Sequence, residues 1–462
     1  MVMLAGCTSS NPRSCVDGTC GDPTFPFCDV NGTLGGVAGE CIAVQCEARG
    51  FAECRGDVEV RCNAAGDGYD EVRCELGCDA VDGCRLCEPD QTACTNGAVA
   101  VCDASGAVTS TESCPLGCFA SEPRCREVAP SNDVATYLDM VPVAPPLDLA
   151  AGATINATTG AIVKTGGGAV EVPTFMVAAP PGGSPLRVFV ADEVTLGDIQ
   201  VISGETYGGP SVIVLARGEI HVAGALSVSS GDLVTIGCAG GTGTRRTNSP
   251  FDRASGSGGG AHATDGGRGG AITSTDPDLN GGLGGVALGT DELIPLRGGC
   301  AAGGTFYEGV QPLVPHGARG GGAVQLTSRR RITVDGTIDV NGVGGGSTDG
   351  FSRSGGGAGG GVLLEAPVVV LTAGAVLARG GDGSGCLMPP LGSRCPEKGV
   401  GARVGIAATD GATPTGGGRE ETGGGGGGGL GRIRINTATG AYDASSAFVI
   451  DGALTTGTIA TR

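Results

Sequence analysis

The residues best placed to do chemistry in this chain are its cysteines. Of 21, 17 lie between Cys7 and Cys125, against only three histidines in the whole sequence, His221, His262 and His316. Thiolates mixed with histidine at short spacing bind zinc, whereas thiols alone, dense in a segment of small residues, read as a disulfide framework formed outside a reducing cytosol. Cys15, Cys20, Cys28 and Cys41 form a first group among turn residues. A repeat follows, in which Cys46, Cys54, Cys62, Cys74, Cys78 and Cys84 match Cys87, Cys94, Cys102, Cys114, Cys118 and Cys125, with intervals of 8, 8, 12, 4, 6 against 7, 8, 12, 4, 7. Cys84-Arg85-Leu86-Cys87 has a zinc-knuckle spacing but straddles the repeat boundary, so it is read as structural. Spacing alone does not choose among the fifteen pairings that six cysteines allow. Four more cysteines, Cys238, Cys300, Cys386 and Cys395, lie in or beside glycine-rich text and would pin it if paired.

Other constellations are weaker. Asp276, Asp278 and Asn280 begin like a calcium loop with glycine at its sixth position, but Ala287 stands where the bidentate glutamate belongs, so no cofactor is assigned. Gly355 to Gly360 spells a dinucleotide fingerprint that leads into a strand and offers a pyrophosphate no helix N-terminus. Arg55-Gly56-Asp57 is read as a surface turn, the three histidines as scattered surface residues, and Arg329 to Arg331 as a solvated turn able to grip an acidic glycan. Asp335 and Asp339 point outward, yet their counterparts in neighbouring repeats are not acidic, so no catalytic residues are assigned.

What must position these groups is a nine-residue frame of apolar residues at a spacing of two, broken by one glycine. It reads Ile332, Val334, Gly336, Ile338, Val340, and again Ile220, Val222, Gly224, Leu226, Val228, with looser copies from Val370 and Phe448. Two short strands meeting at a glycine corner fit this pattern. A further strand precedes each corner, so the repeating unit has three strands and three bends. The expectation is an all-β chain: an irregular right-handed parallel β-helix, or solenoid, with Gly-rich loops, preceded by small disulfide-rich modules. The long stretches from about 240 to 322 and 381 to 429 show neither helical nor strand periodicity.

Composition agrees. Glycine numbers 92, tryptophan is absent and aromatics make up 3%, so small residues must fill the interior. A net charge of -19 argues against nucleic acid as a partner. Leu4-Ala5-Gly6-Cys7 resembles the lipobox of bacterial lipoproteins, which implies diacylglycerol on Cys7; setting Cys7 aside leaves sixteen cysteines in the segment, an even number. Thr8 after the lipidated cysteine favours, by analogy with enteric sorting, the outer membrane. The expected organisation is a truncated signal remnant at 1–6, a Cys-rich lead module at 7–45, six-cysteine repeats at 46–84 and 85–126, a proline-containing spacer at 127–148, and the Gly-rich β-helix at 149–462.

With its lipobox, cysteine modules and the run Gly427 to Ile435, the chain resembles glycine-rich surface lipoproteins of myxobacteria and their relatives. The resemblance implies a lipid-anchored surface location and a β-helical body, and no catalytic activity. The expected function is a non-catalytic surface lipoprotein with a structural or adhesive body. Its partners would be the membrane, through the lipid, and an extracellular glycan or surface protein. A β-helical polysaccharide lyase or hydrolase is the alternative.

Overall fold

The computed structural model describes residues 13–15, 19–30, 37–43, 46–47, 49–64, 66, 68–79, 81, 83–85, 88, 90–104, 106–203, 209–228, 238–246, 253–272, 280–307, 317–346, 353–385, 397–413 and 421–462. The chain forms two compact units, divided between Arg126 and Glu127.

In the first unit the repeat read from cysteine spacing becomes a repeat of structure. Strands Phe51–Arg55, Val58–Cys62 and Tyr69–Arg73 make one antiparallel sheet, and Thr92–Thr95, Ala98–Cys102 and Val108–Ser113 make its counterpart. Bonds Cys46–Cys62, Cys54–Cys78 and Cys74–Cys84 staple the first copy, and Cys94–Cys118 and Cys114–Cys125 repeat the last two in the second. Cys102 is also disulfide-bonded, while Cys87 lies outside the described residues. The lead group closes as Cys15–Cys28 and Cys20–Cys41. Half-cystines such as Cys41, Cys62, Cys74 and Cys102 are themselves the buried core, so the staples, each of about 2–4 kcal/mol, replace the apolar mass these modules lack.

The second unit is built on three long, largely parallel ladders. One runs through Leu147–Leu149, Val194–Leu196, Ile220–Val222, Arg331–Val334, Val368–Leu371 and Asp443–Ala444. Another holds Ala153–Asn156, Ile199–Ile202, Ala225–Val228, Thr337–Asp339, Ala375–Leu377 and Val449–Asp451. The third holds Leu186–Ala191, Ser211–Ala216, Ala323–Ser328, Gly361–Glu365, Arg432–Thr437 and Ala453–Thr458. The chain visits third, first and second ladder in turn, then moves one strand along. Like residues therefore stack: Ile220 pairs with Ile332, Val222 with Val334 and Leu226 with Ile338. These side chains fill one buried aliphatic core. Glycine occupies the corner because a Cβ on Gly336 would strike the backbone of Gly224, and one on Gly374 the backbone of Gly336.

Two looser copies of the frame are corrected by the register. Ile332 and Val334 pair with Val369 and Leu371, so the third copy starts one residue before Val370 and absorbs the extra residue in the bend before Gly374. The copy from Phe448 spans different ladders, because Ile450 pairs with Val376 and Leu454 with Ile433.

The expected spacer at 127–148 is instead part of the second unit. Val128 bridges Thr461, helix Ala135–Met140 buries Leu138, and Leu147–Leu149 pairs with Val194–Leu196. Val134, Leu138 and Val141 cover the outer face of the third ladder with Val188, Ile213 and Leu363. Beside them the buried Glu365 accepts hydrogen bonds from the Ser131 amide and hydroxyl, Gln325, Thr327 and Asn436, so this carboxylate lies buried within a polar latch. Prolines stiffen the stretch, but its apolar residues dock it.

The described parts of the glycine-rich stretches are hydrogen-bonded to one another with a period of three. In residues 255–261 the amides of Ser255, Gly258 and Ala261 donate to Thr244, Gly241 and Cys238; those of Gly256 and Gly259 to Gly270 and Gly267; and those of Ser257 and Gly260 to Arg353 and Gly356. The carbonyls rotate likewise, Gly256 and Gly259 accepting from Gly282 and Gly285, Gly258 and Ala261 from Gly303 and Cys300, and Ser257 and Gly260 from Gly426 and Gly429. Three residues per turn with no bond inside the segment is polyproline II geometry, and donors and acceptors pointing six ways give six neighbours. Each neighbour also bonds to the next, through Gly241 to Leu283, Gly269 to Gly282, Gly267 to Gly427, Gly356 to Gly426, Ala358 to Cys300 and Gly240 to Ala301. The ring closes.

Residues 353–361 and 423–431 are centres of the same kind. In the second, amides 423, 426 and 429 donate to 254, 257 and 260, amides 424 and 427 to 412 and 409, and amides 425, 428 and 431 to 384, 381 and 378. The result is a hexagonal array with these three segments inside and the segments near 240, 267, 284, 301, 319, 343, 381, 400 and 410 around them. The interior glycines of 423–431 admit no side chain, since a Cβ on Gly423, Gly426, Gly427 or Gly428 would lie within 3.0 Å of a carbonyl oxygen. On the rim every third residue faces outward, as Leu283 and Val286 do, both exposed. The buried disulfide Cys238–Cys300 ties two rim segments and closes 62 residues, about 4 kcal/mol of loop entropy. Cys386 and Cys395 lie outside the described residues.

Gly426→Ala therefore destabilises the second unit by about 1–3 kcal/mol or more, as overpacking does, while Leu283→Ala on the rim stays within about 0.5 kcal/mol. Chemical denaturation of the two variants beside the parent checks this ordering.

Candidate functional site

A groove of about 400 Å³ runs along one side of the array, over residues 379–383 and between the rim segments 341–345 and 398–403. Its floor is glycine backbone, Gly380, Gly381 and Gly383, and its charged groups are Arg379, Asp382, Lys398 and Arg403. The threefold alternation decides which groups face it. Amides of Gly380 and Gly383 donate to Ala402 and Gly399, which levels Arg379 with Arg403 and sets Lys398 beside Asp382, one turn or roughly 9 Å along.

Two of the cations have a carboxylate. Lys398 Nζ lies 2.8 Å from Asp382 Oδ2, and Arg379 Nε lies 2.5 Å from Asp451 Oδ2. Burial pushes the Asp382 carboxyl up, but the Lys398 hydrogen bond, the Gly401 N–H and the Arg403 charge outweigh it and hold its pKa below the usual carboxylate value. Arg403 forms no ion pair among the described residues. The arrangement can bind an anion, while Asp382, its carboxyl held below the usual range by Lys398, the Gly401 N–H and Arg403, is poorly placed as a proton donor.

The residues singled out in the sequence fall elsewhere. Arg329 is drawn to Glu127 at 2.8 Å, which dissolves the basic turn and leaves only Arg330 and Arg331 exposed. Arg55-Gly56-Asp57 is indeed a hairpin turn, with Gly56 at φ 66° and Arg55 paired to Glu53. Cys7, Asp276, Asp278 and His316 lie outside the described residues, and Asn280 is an exposed rim residue. The Cys84 sulfur is joined to Cys74 and is no zinc ligand.

His221 does face outward, and its Nε2 lies 2.6 Å from Asp335 Oδ2, with the Thr372 hydroxyl donating to the other oxygen of Asp335. Here the carboxylate sits between hydroxyl and imidazole, so the imidazole does not contact Thr372 as a base would.

His262 is not a surface residue. It is 1% exposed at the end of an interior segment, its Nδ1 bonded to the carbonyls of Gly359 and Gly360, which makes Nδ1 the donor. Nε2 has no hydrogen-bond partner among the described residues. Burial pushes the imidazole pKa down to about 4, the two carbonyls oppose this, and Arg432 and Arg297 add to it.

The groove itself was missed because its residues come from three segments whose period of three was not read. The signal was there, in the spacing Gly-Gly-x of Gly266-Gly267-Arg268 and Gly281-Gly282-Leu283. No protein-family model, curated protein or solved structure matches this chain.

His262 yields a test of the array by pH. Its folded pKa of about 4 lies below the unfolded value near 6.5, so the unfolded state takes up the proton first, and the associated stability is present above pH 6.5 and lost as pH falls toward 4. The loss is on the order of 3 kcal/mol. Denaturation midpoints measured between pH 7 and 4 should fall less steeply for His262→Gln than for the parent.

Proposed function

We propose that this protein is a non-catalytic, lipid-anchored surface lipoprotein whose second unit is an irregular right-handed β-helix with a glycine array at its side, presenting a ligand-contacting surface outside the cell. The disulfides point to an extracytoplasmic or secreted protein, and among the described residues no helix is long and apolar enough to cross a membrane. The lipid on Cys7 is then the anchor, with the outer membrane as its place.

Three ladders visited in constant order, each stepping one strand along, support the β-helical reading. The groove carries the functional reading. It is open, polar and cationic, and its acidic groups Asp382 and Asp451 are bound to cations and to the amides of Gly401 and Val404. Such a surface holds a ligand without a free acid and base to cleave it. The likeness in organisation to myxobacterial surface lipoproteins agrees with this reading.

One observation favours the alternative lyase or hydrolase, namely the exposed pair of His221, on strand Ile220–Val222, and Asp335, in the bend after the neighbouring strand Arg331–Val334. Incubating the full chain with acidic polysaccharides discriminates the two: chains of unchanged length are expected, and shortened products that disappear in His221→Ala would replace this reading with the enzymatic one. For the anchor, metabolic labelling with a palmitate analogue should mark the parent and not Cys7→Ala; equal labelling of both removes the lipid assignment.

A further inference from the structure

We infer that the groove over residues 379–383 is a binding site for an acidic glycan, a hydroxyl-rich chain bearing carboxylates, with Arg403 as its principal anchor. This rests on the non-catalytic reading above and names the ligand class and the residues that take it.

Charge supplies the first reason. Arg403 keeps its whole guanidinium fork for a ligand, and Arg379, which spends Nε on Asp451, keeps its two terminal nitrogens at the same level. Lys398 spends one proton on Asp382 and has two left, one turn of the array away. Anionic groups spaced roughly 9 Å apart along an extended chain meet both positions.

The floor supplies the second. The alternation that sends the amides of Gly380 and Gly383 to the neighbouring segment, and those of Gly381 and Ser384 to Gly357 and Ser354, turns the carbonyls of Gly380 and Gly383 toward the groove. Neither carbonyl accepts a hydrogen bond among the described residues. A row of backbone acceptors with no side chain above it suits hydroxyl donors. An acidic peptide would need recesses for its side chains, and no apolar side chain lines this groove.

Position supplies the third. The groove is held by the array and not by mobile side chains. Asn341 Oδ1 accepts from the Arg379 amide at 2.7 Å and Asp382 Oδ1 from the Gly401 amide at 3.0 Å, so each rim segment is fixed to the next. A ligand meets a preformed surface and pays little to order it.

The test uses the full chain and three probes: oligogalacturonate, the neutral oligogalactan of equal length, and a poly-glutamate peptide. Calorimetry or affinity electrophoresis should show binding of oligogalacturonate that weakens at higher salt, at least tenfold weaker binding by Arg403→Ala, a smaller loss for Lys398→Ala, and none of this for the neutral glycan. Arg331→Ala removes an exposed cation that does not line the groove, serves as the charge control and should bind as the parent does. Equal affinity of parent and Arg403→Ala, or an equal loss in Arg331→Ala, overturns the site. Poly-glutamate bound as tightly as the uronate overturns the ligand class, and so does failure of the parent to bind oligogalacturonate. Shortening of the probe in the same tubes would instead overturn the non-catalytic reading, which keeps the two failures apart.

Discussion

The second unit depends on one constraint, that backbone N–H and C=O groups of neighbouring extended segments must meet where no Cβ can stand between them. A glycine in such a segment loses more conformational freedom than alanine would, by roughly 0.5–1 kcal/mol, and a backbone hydrogen bond returns a net of about 0.5–1.5 kcal/mol. The two nearly cancel, so an isolated glycine segment has little reason to order. Closure changes this, because segments 255–261, 353–361 and 423–431 bond to six neighbours each, and every amide of 255–261 and of 423–429 donates to another segment. The aliphatic ladders supply what the array lacks, since Ala323–Ser328, Gly361–Glu365 and Arg432–Thr437 each continue directly from an array segment and fix its end.

The two halves of this unit thus divide the work of folding. Stacked Ile, Val and Leu bury apolar surface, at about 1.5–3 kcal/mol per side chain, and set the spacing of successive rounds. Excursions from the same corner of three successive rounds, after Ala225–Val228, Thr337–Asp339 and Ala375–Leu377, then stack as the rounds do, and their rims carry polar side chains at a repeat set by the backbone. Arg379, Asp382, Lys398 and Arg403 come together for that reason, although no short motif joins them.

Much of this was legible in the sequence. The alternation from Ile220 to Val228 and from Ile332 to Val340 placed strands, corners and inward residues correctly, because a period of two survives wherever one face is buried. Cysteine intervals placed both small modules, and the structure adds the pairing that intervals could not. The array was illegible to tests for periods of two or 3.6, since its period is three and its interior is mostly glycine, with few side chains to vary. Residues 127–148 misled through their prolines, while Leu138 and the Ser131–Glu365 contact that dock them show no local pattern. His262 misled by lying in glycine text that reads as an exposed loop and is the buried centre.

Amide hydrogen exchange across 423–431 addresses the array most directly. Every amide from Gly423 to Gly429 donates to another segment, so the account predicts protection comparable to that of the central strand Gly361–Glu365. Exchange of this run at the rate of an unstructured glycine peptide, with the strand still protected, would contradict it.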